Sequence, residues 1–261
     1  MKAIGMVCLA MLGICGVGSA AVAQETAEIE REMTPPPDIA VAVRDGQVLP
    51  STLSPQVGAT GALAIGFGGY DGARSAPIGS ATAEVRVWGP FAIRGGAEYS
   101  SVRQEARPTI GGRVQLLRQG RHGIDGSLSV FYRPEGFTEP EGEIETFVSV
   151  GRRFERLTVL GNLVYGQDPE GNERDGEVRL ASLYAVGRWA LGFDSRLRFA
   201  LGTQRSAMAM AEPKFDLMAG PIAATTVGPI ALFAQAGPSV LRITGTTSAG
   251  VAALAGVGGV F

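Results

Sequence analysis

The chain has 261 residues, of which 45% are hydrophobic, and a formal net charge of −2. Charge is nearly balanced, so there is no basic excess of the kind that nucleic-acid binding requires. After residue 23 no uninterrupted apolar run is long enough for a membrane-spanning helix. The apolar residues must therefore be buried in a core or lie against lipid.

The N-terminal 23 residues have the features of a secretory signal peptide. Lys2 supplies a positive charge, the apolar stretch 4–17 follows, and residues 21–23 form the small-x-small pattern of a cleavage site. Both cysteines, Cys8 and Cys15, lie in this segment. We therefore expect an exported mature chain with neither a disulfide nor a cysteine-based metal site.

Residues 24–57 differ in composition from everything that follows. A charged run is succeeded by Pro35-Pro36-Pro37, which favours an extended polyproline conformation. Ile39, Val41 and Val43 then alternate with other residues, which predicts one short strand. Two interpretations stay open: a solvated periplasmic linker, or a plug that enters the domain formed by the rest of the chain.

From residue 58 onward, apolar and polar residues alternate in segments of about ten residues separated by turn residues. This period of two predicts an all-β domain of about twelve strands, with ten or fourteen as alternatives. The predicted strands are 60–70, 80–88, 91–100, 110–118, 123–133, 143–152, 157–166, 177–188, 196–203, 215–226, 230–241 and 249–261.

The connections between these strands alternate in length. Short ones fall at Gly89-Pro90, 119–122, Phe154-Glu155, Asp194-Ser195 and Gly228, and long polar ones at 71–79, 101–109, 134–142, 167–176, 204–213 and 244–248. Transmembrane β-barrels have short periplasmic turns and longer external loops. A soluble β-sandwich is the chief alternative for such alternation, but it has no reason to sort its loops by length.

The final segment gives the pattern a family. Val251, Ala253, Ala255 and Val257 fall on one face at period two, and the chain ends on an aromatic residue, Phe261. This ending resembles the C-terminal strand of bacterial outer-membrane β-barrel proteins, which the barrel-assembly machinery recognises. The resemblance implies a transmembrane antiparallel up-and-down β-barrel over residues 58–261. It also implies the outer membrane of a Gram-negative bacterium, contact with outer-membrane lipid, and Phe261 as the assembly signal.

Aromatic residues near the predicted strand ends suit such a membrane barrel, because they would lie at the two membrane interfaces as girdles. They are Tyr70, Trp88, Phe91, Tyr99, Tyr132, Tyr165 and Trp189.

The charged residues of the strands fall on the polar face and would line the lumen. Mapping strand directions places Glu84, Glu98, Glu143, Glu145, Glu177 and Asp216 toward the external end, Arg86, Arg94, Arg196 and Arg198 lower, Arg113 and Arg179 near the middle, and Arg133 at the top. We therefore predict an acidic outer vestibule above an arginine-lined inner half, with these residues as selectivity candidates. The alternative is that neighbouring strands simply pair glutamate with arginine, without a role in transport.

Candidate catalytic and metal-binding residues are scarce. The one histidine, His122, falls in a predicted periplasmic turn, and nothing nearby provides the third member of a nucleophile–base–orienting-group arrangement. We expect no cofactor, no metal and no nucleic-acid partner. The sequence favours a porin-like channel for small solutes. An occluded barrel that serves as a structural, anchoring or interaction protein is the alternative, and an outer-membrane hydrolase is the third hypothesis.

Overall fold

The computed structural model describes residues 39–49, 51–71, 74–100, 105–134, 142–169, 174–201, 215–243 and 246–260. The predicted signal peptide and Phe261 lie outside the described residues. The strands are β1 (Thr60–Asp71), β2 (Arg74–Trp88), β3 (Phe91–Ser100), β4 (Glu105–Leu117), β5 (Asp125–Pro134), β6 (Gly142–Phe154), β7 (Leu157–Gln167), β8 (Arg174–Val186), β9 (Trp189–Ala200), β10 (Phe215–Val227), β11 (Ile230–Ile243) and β12 (Thr246–Val260). Two short helices are α1 (Ile39–Arg44) and α2 (Gln119–His122).

The twelve strands form one closed barrel. Each strand pairs antiparallel with its neighbours in sequence, and β1 pairs with β12, with Thr60 opposite Val260 and Phe67 opposite Ala253. Closure leaves no row of unpaired backbone groups, which is the condition for a sheet to exist in hydrocarbon. The predicted up-and-down barrel of about twelve strands is confirmed.

The period of two in the sequence separates the two faces of the wall. On β1, Ile65 is 68% exposed whereas Ala64 is 3% exposed. On β7, Leu163 is 61% exposed whereas Asn162 is 2% exposed. Because successive side chains of a strand point to opposite sides, the apolar set covers the outside and the small or polar set faces the lumen.

One end of the barrel carries the short connections and is called the turn end here. Its turns lie at Gly89-Pro90, 118–124, Glu155-Arg156, Gly187-Arg188 and Gly228-Pro229. The opposite end, the loop end, joins β1 to β2, β3 to β4, β5 to β6, β7 to β8, β9 to β10 and β11 to β12. The alternation of the two ends is as predicted.

Several predicted connections are wrong in detail. The pairing of β1 with β2 continues to Asp71 opposite Arg74, and that of β11 with β12 to Ile243 opposite Thr246, so long loops at 71–79 and 244–248 do not form. The pairing of β3 with β4 continues to Ser100 opposite Glu105, so residues 105–109 belong to β4 and not to the predicted loop 101–109. The turn predicted at Asp194-Ser195 instead lies at Gly187-Arg188, where Gly187 has a φ of +57°. That shift places Asp194 in the middle of β9.

The aromatic side chains predicted to form girdles lie on the outward face. Trp88 and Phe91 stack with their ring centroids 5.9 Å apart at the turn end, where Trp189 is also exposed. Exposed tyrosines at the loop end are Tyr99, Tyr132 and Tyr165. The side chain of Tyr70 lies outside the described residues. Among the helices of the described ranges, none has the length and apolar character to cross a bilayer.

Residues 39–49 and 51–58, called the inner segment here, lie inside the barrel. Val43, Val48 and Leu49 are buried in one cluster with side chains of six strands: Ala64, Leu160, Ala181, Leu183, Ala190, Ile222, Ala224, Ala231 and Phe233. The segment begins as α1 and not as the predicted short strand. The prediction failed because the closed wall offers no free edge to pair with, whereas a helix bonds its own backbone groups.

Candidate functional site: the charged lumen

The lumen holds the inner segment chiefly through its main chain. Arg179 donates from Nη1 to the carbonyl oxygen of Ser51 at 2.7 Å, Arg113 donates to that of Ser54, and Arg86 to that of Val57. These arginines come from β8, β4 and β2, so the wall holds carbonyl groups spaced three residues apart from different sides. Guanidinium groups suit this task because they present several donors in a fixed plane.

Asn162 and Asp194 complete the contacts at the deepest part of the segment. The amide of Asn162 accepts the N–H of Leu53 and donates to its carbonyl oxygen, both at 2.8 Å. The hydroxyl of Thr52 donates to Asp194 Oδ1 at 2.6 Å. The N–H and carbonyl of Leu53 and the hydroxyl of Thr52 thus acquire partners inside the barrel.

Replacing Asn162 by alanine should loosen this part of the inner segment. The buried N–H and carbonyl of Leu53 would lose their partners, which costs about 1–3 kcal/mol for each unsatisfied group. Hydrogen exchange of the folded protein should show the Leu53 amide exchanging faster, while amides of β12 keep their protection. As a control, Ser195→Ala removes a hydrogen bond at the same strand level without touching the segment, and equal exchange in both variants would contradict the assignment.

The charged side chains of the lumen form three clusters. The first cluster joins β2, β3 and β4 and lies next to the inner segment. Arg113 pairs with Glu84, and both side chains are almost completely buried, with Glu84 1% and Arg113 3% exposed. Arg94 lies 3.6 Å from the same carboxylate, and Glu84 also accepts the N–H of Gly58 at 2.9 Å. The cluster therefore ties the wall directly to the last residue of the inner segment.

A second cluster lies across β8, β9 and β10. Glu177 pairs with Arg179 at 2.9 Å and with Arg196 at 3.1 Å, and Arg196 reaches Asp216 at 3.1 Å. Arg179 also lies 5.0 Å above the ring of Phe147. Since Arg179 holds the Ser51 carbonyl as well, this cluster is coupled to the segment in the same way as the first.

The third cluster lies nearer the loop end. Arg133 pairs with Glu98 at 2.7 Å and with Glu145 at 3.0 Å. On the other side of β7, Arg198 pairs with Asp175 and lies 3.7 Å from Glu143. Acidic and basic groups thus neutralise each other at this level of the lumen.

All of the predicted selectivity residues line the lumen, but not at the predicted heights. Glu84 lies in the turn-end half, opposite Thr60, the first residue of β1. Arg196 and Arg198 lie toward the loop end, because β9 begins at Trp189 and not at residue 196. The prediction of an acidic outer vestibule above an arginine-lined inner half is therefore wrong. Glutamates and arginines pair across neighbouring strands, and a role of these residues in selectivity stays a prediction.

Sequence reasoning found Arg86, Arg113 and Arg179 as lumen residues but missed Asn162 and Asp194, which also bind the inner segment. Asn162 is uncharged, and Asp194 falls in the predicted turn Asp194-Ser195. Their partners Leu53 and Thr52 are 109 and 142 residues away in the chain. No local spacing signals such a contact.

The histidine does not contribute to the lumen. His122 is exposed in α2 at the turn end, and its Nδ1 accepts the N–H of Arg118 at 3.2 Å. Within the described ranges, no group of three histidine or carboxylate side chains is arranged to hold a metal ion.

Comparisons with known proteins bear on the fold. No protein-family model matches the chain, and no curated protein matches it. Among solved structures, the NanC porin is similar, with a TM-score of 0.56 and 9% identity over 76% of this chain and 100% of that chain. The outer membrane channel DcaP of Acinetobacter baumannii has a TM-score of 0.44 and 11% identity over 72% of this chain and 63% of that chain. A bacterial polysaccharide outer membrane secretin has a TM-score of 0.44 and 9% identity over 79% of this chain and 99% of that chain. The likeness to the NanC porin shows that the chain has a porin-like barrel fold.

Proposed function

We propose that the protein is an outer-membrane channel for small solutes, with the inner segment as its gate and the lumen charges as its filter. The observation that carries the proposal is the closed barrel with an apolar outside and a charged inside. A soluble protein rarely exposes a continuous apolar band, whereas a barrel in hydrocarbon requires one. The porin-like fold supports the same conclusion.

The size of the barrel makes the inner segment decisive for conduction. Eight-stranded barrels fill their interior with side chains, and those of about sixteen strands leave a channel. With twelve strands, the lumen has room for a peptide segment, and here the inner segment occupies the turn-end half. A solute can therefore pass only when the segment shifts or leaves.

The contacts of the segment suit a gate. Its main chain is held by hydrogen bonds from side chains of the wall, and each of these groups can bond to water or to a polar solute once the segment moves. The arginines that hold the Ser51, Ser54 and Val57 carbonyls would then face the open lumen. A non-enzymatic role is part of this proposal, because the lumen charges are engaged with one another and with the segment.

A reversible cross-link tests the gate. In a chain with Cys8 and Cys15 replaced by serine, Val48→Cys and Gly258→Cys should form a disulfide. A Cβ added at Gly258 would lie 3.1 Å from the Val48 Cβ. The two Cβ atoms of a disulfide are about 3.8 Å apart, so the two positions need to separate by only about 0.7 Å to form the bond. In planar bilayers we expect the oxidised protein to be silent and the reduced protein to open, because only reduction frees the segment.

The single variant Val48→Cys, treated with the same oxidant, is the control and should conduct in both states. Equal conductance of the oxidised and reduced double variant would refute the gate, since solutes would then pass beside the segment. Silence of the unmodified protein, the control and the reduced variant would refute the channel and leave the occluded barrel.

A further inference from the structure

Where β6 to β9 meet the turn end, three arginines are exposed. Arg152 is near the end of β6, Arg156 is in the turn to β7, and Arg188 is in the turn between β8 and β9. Within the part of the chain that the structure describes, none of the three forms an ion pair. The lumen arginines, in contrast, have carboxylate partners in all three clusters. These three side chains are called the rim patch here.

The rim patch is compact. It spans strands β6 to β9, which are consecutive neighbours in the barrel. Neighbouring strands are about 4.8 Å apart, so the Arg152 and Arg188 positions are separated by about 15 Å along the rim. Arg156 lies between them. One carboxylate, Glu155, is in the same turn, so the patch keeps a net positive charge.

Two of the arginines are held at the depth of the interfacial aromatics. The guanidinium of Arg152 lies 4.7 Å from the ring centroid of Phe154, and that of Arg188 lies 6.0 Å from that of Trp189. Both rings are on the outside, 47% and 43% exposed. Aromatic residues of barrels lie at the level of the lipid headgroups, so these cation–π contacts keep the charges at that level.

Directly beyond the patch, the outer wall is apolar. Leu157, Tyr184, Val186 and Leu191 are exposed on β7, β8 and β9. A ligand that contacts both the arginines and this surface needs an anionic head and hydrocarbon tails. A soluble acidic protein would satisfy the charges but not the apolar surface.

We propose that the rim patch binds the phosphate of an anionic phospholipid in the adjacent leaflet, with the acyl chains lying against Leu157, Val186 and Leu191. Guanidinium groups bind phosphate oxygens in a bidentate manner, and basic pockets at a membrane surface bind anionic headgroups. The proposal concerns the outside of the wall and does not depend on channel activity.

The chain contains its own control position. Its two tryptophans are Trp88 and Trp189, both exposed at the turn end on different sides of the barrel. The turn beside Trp88 is Gly89-Pro90 and carries no charge, and Arg86 donates inward to the Val57 carbonyl. One tryptophan thus reports on the rim patch and the other on a rim without it.

Fluorescence quenching by brominated lipid tests the proposal. Trp88→Phe and Trp189→Phe are refolded into phosphatidylcholine vesicles that contain a minor fraction of either brominated phosphatidylglycerol or brominated phosphatidylcholine. For each variant, the quenching efficiency of brominated phosphatidylglycerol is divided by that of brominated phosphatidylcholine. This ratio measures local enrichment of the anionic lipid, and any effect of Arg188 on the tryptophan itself cancels. We expect about fivefold enrichment of the anionic lipid at Trp189 and no enrichment at Trp88. Fivefold is about the effect of the attraction between one arginine and an anionic membrane surface.

Charge removal gives the second arm. In the Trp88→Phe background, the triple variant Arg152→Gln, Arg156→Gln, Arg188→Gln should bring the ratio at Trp189 to one. The matched control Arg174→Gln, Arg242→Gln removes two exposed arginines at the loop end and should leave the ratio unchanged. Equal ratios at Trp88 and Trp189 in the parent variants would overturn the proposal, as would enrichment that survives the triple substitution.

Discussion

Alanine at Gly192 should prevent the barrel from closing. A Cβ added there would lie 1.7 Å from the carbonyl oxygen of Ser182 and 3.0 Å from the Cα of Leu183. Both are backbone atoms of β8, to which Gly192 is paired through Leu183, so the clash cannot be relieved by turning a side chain. We expect a destabilisation of about 4 kcal/mol or more, at the exceptional end of single substitutions.

The measurement is the fraction of protein that refolds into detergent micelles, followed by heat-modifiable migration in gels and by circular dichroism. Gly112→Ala is the matched control, because Gly112 is exposed on β4 and an added Cβ there meets no atom within 4 Å. It should fold within about 0.5 kcal/mol of the unmodified protein. If Gly192→Ala folds as well as Gly112→Ala, the close approach of β8 and β9 is wrong.

Methionine at Arg113 should both destabilise the barrel and release the inner segment. Glu84 would be left buried and would keep only the Gly58 N–H and the more distant Arg94 as partners. Removing one partner of a buried ion pair costs about 3–5 kcal/mol, because the remaining charge is uncompensated. The Ser54 carbonyl would lose its donor as well, so residues 51–58 should exchange their amide hydrogens faster.

Urea unfolding in micelles measures the first effect and hydrogen exchange the second. The double variant Glu84→Met, Arg113→Met separates them. It removes the stranded carboxylate and should recover part of the stability, although Arg94 and the Gly58 N–H lose Glu84 as a partner. It still leaves the Ser54 carbonyl without its donor, so exchange in the inner segment should stay fast. A stability of Arg113→Met within about 1 kcal/mol of the parent would contradict the buried pair.

The fold could be predicted from the sequence because the bilayer leaves few solutions. A strand that faces hydrocarbon on one side must alternate, and the outward residues Leu63, Ile65 and Phe67 show that alternation directly. The closing pair of β1 and β12 follows from the same requirement that no edge stays open. Strand ends were less predictable. Asp194-Ser195 has the composition of a turn, yet Asp194 is in mid-strand, where it pairs with Ala181 and its carboxylate accepts a hydrogen bond from Thr52.

The site was predicted only in part. The charged residues that line the lumen were found from their parity in the strands, which is a local property. Their partners were not, because a pair such as Arg113 and Glu84 depends on which strands meet across the wall and at what height. The contacts of Asn162 and Arg179 with Leu53 and Ser51 depend on how the inner segment enters the barrel. Its first residues were predicted to form a strand from the alternation of Ile39, Val41 and Val43. In the closed barrel that stretch is helical.

The path of the inner segment sets how it would respond to a mechanical load. Asp45 bonds Arg153 near the end of β6, Thr52 bonds Asp194 deeper in the barrel, and Val57 bonds Arg86 near the end of β2. The segment therefore enters and leaves through the same mouth. Tension on the chain before Ile39 would break these contacts one after another, as in unzipping, and would not shear them all at once. The hydrogen bonds that keep the inner segment from leaving the barrel spontaneously can thus be broken by a weak force applied from the turn end.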